Sequence, residues 1–204
     1  MSSKHGLRYL ICLLLLMASG CYESDNPLSD ARAFPTDRSV AGLWLSREDP
    51  NNDVYLHIIV DTVGRMKLIR VNHPQTQSGA IAGSEECDAF PTISAGQKFM
   101  NIRFLCVPAD AEKEAPPREY YWFYRYELSG TNSLTIWETD YDALTDAITR
   151  QKANGKFWQT TWGSNIMLHE SGDNLLKLLV GGKVGDLWKK YGTFQRLAIK
   201  DLSK

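Results

Sequence analysis

The strongest constraint on what this chain can fold into is a succession of ten short, β-rich runs separated by turn residues or helix signals. They fall at Gly42–Ser46, Val54–Asp61, Arg65–Asn72, Cys87–Ile93, Lys98–Val107, Tyr120–Ser129, Ser133–Glu138, Lys156–Thr161, Ile166–Glu170 and Thr193–Ala198. "DTVGRM" reads as a turn between the second and third runs, and "SGTN" as the loop of a hairpin inside "ELSGTNSLTIW". Many short strands at close spacing predict a mostly β fold, an antiparallel barrel or sandwich of about 8–10 strands rather than a parallel sheet.

Two short helices, 140–154 and 171–181, are expected between strands. Asp140 can cap the first, where Leu144, Ala147 and Ile148 share a face. Asp142 and Asp146 sit near its positive end, Arg150 and Lys152 near its negative end, and Gly155 supplies a stop. Dipole complementarity explains that acidic cluster more simply than a carboxylate site does. Ser171 likewise precedes "GDNLLKLLV", whose Leu175, Leu176 and Leu179 form an apolar stripe that ends at Gly181-Gly182.

The first run opens Gly42-Leu43-Trp44, and the last contains Arg196 in "FQRL". This pairing resembles lipocalins and related calycin barrels, where G-x-W begins the first strand and an Arg near the last strand lies across the Trp. The resemblance implies a lipocalin-like barrel with Trp44 and Arg196 as a structural pair closing one end. The helices depart from the simple eight-stranded meander of that family. More broadly, "YYWFYRYEL", "LTIW" and a capped helix look like small lipoproteins of Gram-negative bacteria, a likeness that implies no activity.

The N-terminus carries a separate message. Lys4 and Arg8 precede an uncharged apolar run from Tyr9 to Met17, too short for a membrane-spanning helix, which needs about 20 residues. It matches the apolar region of a secretory signal peptide. Ala18, Ser19 and Gly20 are small, and Cys21 follows them. This resembles the lipobox of bacterial lipoproteins, with Ala18 where Leu is usual. The resemblance implies a signal peptide over 1–20, cleavage before Cys21, and acylation of its thiol and new amine. Each buried CH₂ would add roughly 0.8 kcal/mol to membrane attachment. Tyr22, rather than Asp, follows the cysteine, so the resemblance favours the periplasmic face of the outer membrane over the inner membrane or the cell surface. Residues 21–39 are polar with two prolines and read as an acylated cysteine on a flexible tether spanning on the order of 20 Å. Residues 40–204 then form a single domain.

Export bears on the cysteines. Cys87 and Cys106 remain in a chain bound for an oxidising compartment, and a disulfide between them is expected. If they face each other across an antiparallel pair, opposing residue numbers sum to 193 and the turn falls at Gly96-Gln97. Glycine there suits a type II′ turn. Cys87, Ala89, Pro91 and Ile93 then oppose Cys106, Phe104, Ile102 and Met100, an all-apolar face as a core ladder requires. The other face, with Asp88, Phe90, Thr92, Asn101, Arg103 and Leu105, reads as the wetter side. Such a bond is worth roughly 3 kcal/mol; two buried thiols are the alternative.

Little in the chain argues for chemistry. Lys4 and Arg8 leave with the signal, so 21 of the 23 basic residues remain against 24 acidic ones, a net of −3 that gives no footprint for nucleic acid. His57, His73 and His169 show no metal-ligand spacing, and no cofactor is expected. No G-x-S-x-G elbow, phosphate-binding glycine loop or H-E-x-x-H occurs. In the aromatic run, Tyr120, Trp122, Tyr124 and Tyr126 share one face, with Tyr121, Phe123, Arg125 and Glu127 on the other. The first set is either core or a ligand lining in which Trp122, Tyr124 and Tyr126 take part; a barrel of about eight strands can hold one small ligand. The expected function is non-catalytic binding of a small or lipidic, hydrophobic ligand by a membrane-anchored barrel. The alternatives are an envelope protein-docking module with a solid core, or a hydrolase with a non-local site.

Overall fold

The computed structural model describes residues 21–50, 52–74, 83–106, 118–160, 163–181 and 186–198. Seven strands follow one another through turns and loops: β2 (Gly42–Asp49), β3 (Asn52–Val60), β4 (Met66–Pro74), β5 (Gly83–Ser94), β6 (Gln97–Cys106), β7 (Arg118–Ser129) and β8 (Ser133–Thr139). The chain then leaves on an excursion of α1 (Tyr141–Thr149), β9 (Gly155–Thr160), β10 (Gly163–Leu168) and α2 (Gly172–Val180), and returns as β11 (Trp188–Arg196). β11 pairs with β8 on one side and β2 on the other, while β6 pairs with β7. The result is a closed, antiparallel, eight-stranded barrel of lipocalin-like form, with the excursion outside it. Closure leaves none of these eight strands with a free edge.

Alternation fixes which side chains fill it. On β3, Leu56 and Ile58 point inward while His57 and Ile59 point out; on β4, Met66 and Leu68 continue the inner set. With Val40, Trp44, Met100, Ile102, Tyr126, Leu134, Ile136 and Phe194 they form the barrel core. A second apolar core lies outside the wall. There Phe99, Tyr121 and Phe123, the outward residues of β6 and β7, pack under Leu144 of α1, Ile166 and Leu168 of β10, and Leu175 and Leu179 of α2. The aromatic run of β7 is thus buried on both faces, one in each core.

The β5–β6 hairpin differs from expectation by two in its register sum. Opposing numbers total 191, as in Ala89 against Ile102 and Ser94 against Gln97. The turn is Ala95-Gly96, and both residues have positive φ, 48° and 76°. That is the conformation of a type I′ turn, whose twist matches the strands it joins. A shift of two keeps every side chain on its face, so Cys87, Ala89, Met100 and Ile102 still enter the core. It also moves the continuation of the ladder, placing Phe104 rather than Cys106 across from Cys87. Cys87 is a buried free thiol, so the expected Cys87–Cys106 disulfide is corrected.

The expected wet face of this hairpin is wet at the exposed Asp88 and the partly exposed Arg103, which pair with each other, and dry nearer the turn. Thr92 and Asn101 are fully buried. The segment that the sequence presents as a tether covers them: the Leu28 N–H donates to Asn101 Oδ1 (2.8 Å), and Ser29 Oγ meets Thr92 Oγ1 (2.6 Å). Upstream, β1 (Cys21–Ser24) pairs parallel with β10 and meets β7 at Ser24–Tyr121. The Tyr22 hydroxyl donates to the Phe123 carbonyl (2.8 Å) and accepts from its N–H (2.6 Å). Burial pushes this phenol far above its ordinary value. Residues 21–40 are therefore part of the fold, not a leash. Among the described side chains there, Tyr22, Leu28 and Val40 join the apolar cores, too sparse a pattern for periodicity to register.

The first helix is shorter than expected, whereas the second covers the expected "GDNLLKLLV" between Ser171 and Gly181. α1 has its N-cap at Asp140, which accepts from the Ala143 N–H at 2.9 Å. It ends well before Gly155, with Gln151 in the left-handed region (φ 57°) just after its C-cap. Ser171 occupies the N-cap of α2 without a side-chain capping bond. Among the described residues no helix is long and apolar enough to cross a membrane.

Candidate functional site

The two ends of the barrel are built differently. At one, Trp44 of β2 and Arg196 of β11 are register partners. The Arg196 guanidinium lies over the Trp44 ring, 4.1 Å from its centroid. It donates to the carbonyls of Thr131 (2.7 Å), Ala41 (2.6 Å) and Ser39 (2.6 Å), tying three segments together. Trp44 is fully buried, and its Nε1 donates to the Val40 carbonyl (2.9 Å). Gly42 explains the first letter of the motif. Its φ is +146°, and a Cβ there would meet Arg196 Nη1 at 2.6 Å, so a side chain would displace the guanidinium.

Asp37 completes this closure. Its carboxylate accepts from Lys98 Nζ (2.7 Å) and Tyr126 Oη (3.3 Å), and caps the 3₁₀ turn Arg38–Val40 through the Ser39 N–H (3.1 Å). Burial pushes its carboxyl upward, but the hydrogen bonds from Lys98 and Ser39 outweigh this and hold it below the ordinary value. Tyr126 moves the opposite way, pushed up by burial and by the neighbouring Asp37 charge.

Among the described residues, the opposite end has no such closure. A cavity of about 340 Å³ lies between the ends of β2, β3 and β4 and the start of β11, lined by Ser46, Glu48, Val54, Arg70, Asn72, Tyr191 and Phe194, among others. This is at the small end of the range of about 300–1,000 Å³ usual for ligand sites. Below it the barrel is filled by Leu56, Ile58, Met100 and Ile102, each almost fully buried. As the described residues form it, the site is a shallow cup on a packed barrel.

Arg70 follows Met66 and Leu68 in the inward alternation of β4, so strand phase carries a cation into the mouth. Its Nε donates to Asn72 Oδ1 (3.3 Å), and its guanidinium lies 5.6 Å from the Tyr191 ring centroid. Tyr191 reaches the mouth through a bulge: the β11–β8 register shifts between Lys190 and Gly192, and Tyr191 is the extra residue. Bulges re-aim side chains in this way and recur beside functional sites. The ring stacks on Phe194 (6.0 Å, 18°) and meets Tyr124 at 5.9 Å.

Glu48 and Asp49 line the cup, and Glu138 stands near enough to Arg70 to feel its charge. Glu48 accepts from Lys190 Nζ (2.9 Å) and the Thr193 N–H (3.1 Å), and the Lys190 bond chiefly lowers its carboxyl. Glu138, the register partner of Tyr124, is raised by burial, against the opposing pull of Lys189 and Arg70. Arg70 is thus the cavity-lining cation, with a polar amide beside it and an aromatic ring beneath.

The aromatic residues proposed from sequence do not line this cup. Trp122 and Tyr124 lie on the inner wall and pack against the barrel core, with the Trp122 ring 4.5 Å from Phe104. Tyr126 belongs to the closed end. The residues that do line the cup were missed, although their signal was present: Arg70 and Asn72 share the parity of Met66 and Leu68. The bulge that delivers Tyr191 left no such trace.

Other sequence candidates lie elsewhere. Cys21 begins β1; its side chain, like that of Cys106, is outside the described residues. Burial, helped by Glu85, Asp88 and Glu86, pushes the Cys87 thiol up to about 11. His57 and His73 are exposed, and His169 Nδ1 meets Asp25 Oδ2 at 2.5 Å, fastening the N-terminal segment beside β10. Among the described residues no three His, Cys, Asp or Glu side chains converge as metal ligands would. Comparison with known proteins finds no family model, no curated protein and no solved structure that matches this chain.

Proposed function

We propose that this protein is an acylated envelope lipoprotein whose barrel mouth binds a small anionic molecule without catalysis. The observation that carries the reading is the Arg70 guanidinium lining a cup of about 340 Å³, flanked by Asn72 and Tyr191, at the end opposite the Trp44–Arg196 closure. A guanidinium presents several donors in a plane that matches a carboxylate or phosphate. Tyr191 offers an aromatic face to the apolar part of such a molecule. The buried Leu56, Ile58, Met100 and Ile102 beneath the cup favour the small over the lipidic ligand expected from sequence.

Location rests on the N-terminal motif. Residues 1–20 act as the signal peptide, Cys21 carries the lipid, and the periplasmic face of the outer membrane is the site. The ligand reading is tested by native mass spectrometry of the full-length protein released from its own envelope in mild detergent. The expected result is an adduct of a small anionic molecule on the wild type that is missing from Arg70→Ala. Bare protein in both cases, or an equal adduct on both, contradicts it.

A further inference from the structure

The excursion sheet has an exposed outer strand, and its position relative to Cys21 gives that exposure a purpose. β9 ends the sheet order β1-β10-β9, so its outer edge pairs with no other described strand. Phe157 and Trp158 on it are 47% and 42% exposed, although neighbouring side chains in a strand point to opposite faces. Lys156 and Gln159 beside them are exposed too. An unpaired edge with bare aromatics on both faces is a liability in water unless something covers it.

The register links this edge to the first residue of the mature chain. Cys21 pairs with Asn165, and Asn165 with Trp158; Tyr22 pairs with Ile166, and Ile166 with Phe157. Trp158 is two strand spacings from Cys21, about 10 Å across the sheet. β1 has no slack, because Ser24 is fully buried and the Tyr22 hydroxyl is bound to the Phe123 backbone on both sides. A lipid on Cys21 would therefore draw this sheet down to the membrane surface.

We propose that the β9 edge, with Phe157 and Trp158, lies in the headgroup interface of the bilayer that holds the Cys21 acyl chains. The inference rests on the lipoprotein reading above. Aromatic side chains favour that zone, where an apolar ring and a polar tip are both satisfied. Water and headgroups there can satisfy the unpaired backbone groups of the edge, which the hydrocarbon interior could not. An edge entering the interface wets both faces with lipid, and both faces of β9 carry a ring; a docked partner would need only one. Exposed Lys156 adds a cation at the level of lipid phosphates.

The test places a photo-crosslinker at Trp158→p-benzoylphenylalanine in the full-length protein in its native membrane. Val63→p-benzoylphenylalanine serves as control, since Val63 is 76% exposed in the β3–β4 turn at the closed end of the barrel. Intact mass first reads the acylation of Cys21. The expected result is an acylated protein that yields phospholipid adducts from position 158 and none from position 63. A polypeptide adduct at 158, from a second copy or another protein, overturns membrane apposition in favour of strand docking. No adduct at 158, or equal lipid adducts from both positions, overturns it while an acylated Cys21 leaves the anchor standing. An unacylated Cys21 removes the anchor and this inference together.

Discussion

At the closed end of the barrel, a cation and a carboxylate are each held by several partners; at the open end, 20 Å or so of strand away, Arg70 and Glu138 are not so held by the described residues. The strands that reach both ends are the same and alternate in the same way, so the contrast lies in what meets them. Arg196 has three carbonyls and a ring, and Asp37 has Lys98, Tyr126 and a capped turn. Arg70 has a long bond to Asn72 and an aromatic neighbour, and burial acts against the Glu138 charge. The difference separates a group that secures the fold from one left available to a ligand. Groups held by many partners make structure; under-satisfied groups lining a cavity suit binding.

The contrast is broken most forcefully at Trp44. Trp44→Ala empties the closed end and leaves the Arg196 guanidinium without its ring, so a loss of about 3–5 kcal/mol is expected in denaturant unfolding. A smaller loss would mean that this end collapses to refill itself. Asp37→Asn keeps the shape and removes the charge, with an expected cost of about 1.5–3 kcal/mol. The wild type should also show a matching pH dependence. Because the folded carboxyl lies below its ordinary 3.8, this stabilisation is complete above that value and lost as pH falls through the lower folded one. Asp37→Asn should flatten that acid limb.

At the open end the sign reverses. Glu138 has a raised folded value, so stability is greatest below its ordinary 4.5 and declines as pH rises through the raised folded value. Glu138→Gln should therefore be neutral or stabilising at neutral pH, by on the order of 0.5 kcal/mol, and should remove that decline in a thermal-melt pH series. The smallest effect concerns Cys87. Buried and raised to about 11, its thiol should not react with an alkylating reagent in the folded protein at neutral pH, and should react on unfolding. Alkylation at the same rate in both states would place Cys87 outside the packed wall.

What could be read from the residues themselves followed from periodicity and caps: the ten strands and both helices leave alternating or end-marking residues in the chain. The Trp44–Arg196 pair comes from the resemblance to calycin barrels, and strand pattern alone leaves barrel and sandwich both open. What escaped had no period. Leu28 is a single apolar residue among polar neighbours, yet it is buried over the β5–β6 hairpin, so a docked segment read as a tether. The hairpin turn sits one residue from its expected place because Ala95 takes a positive φ that sequence gave no reason to assign to it. Tyr191 enters the mouth through a bulge, a break in alternation rather than an instance of it. Arg70 was readable in principle, but an inward charge invites assignment to the surface until the barrel's open end is located.

The most direct test compares the two arginines in one urea series. Arg196→Ala and Arg70→Ala remove the same side chain from opposite ends of one barrel. The account predicts a loss of about 3 kcal/mol for Arg196→Ala, from the severed charge-assisted hydrogen bonds and the ring contact, and less than about 1 kcal/mol for Arg70→Ala. Equal losses from the two variants would contradict it.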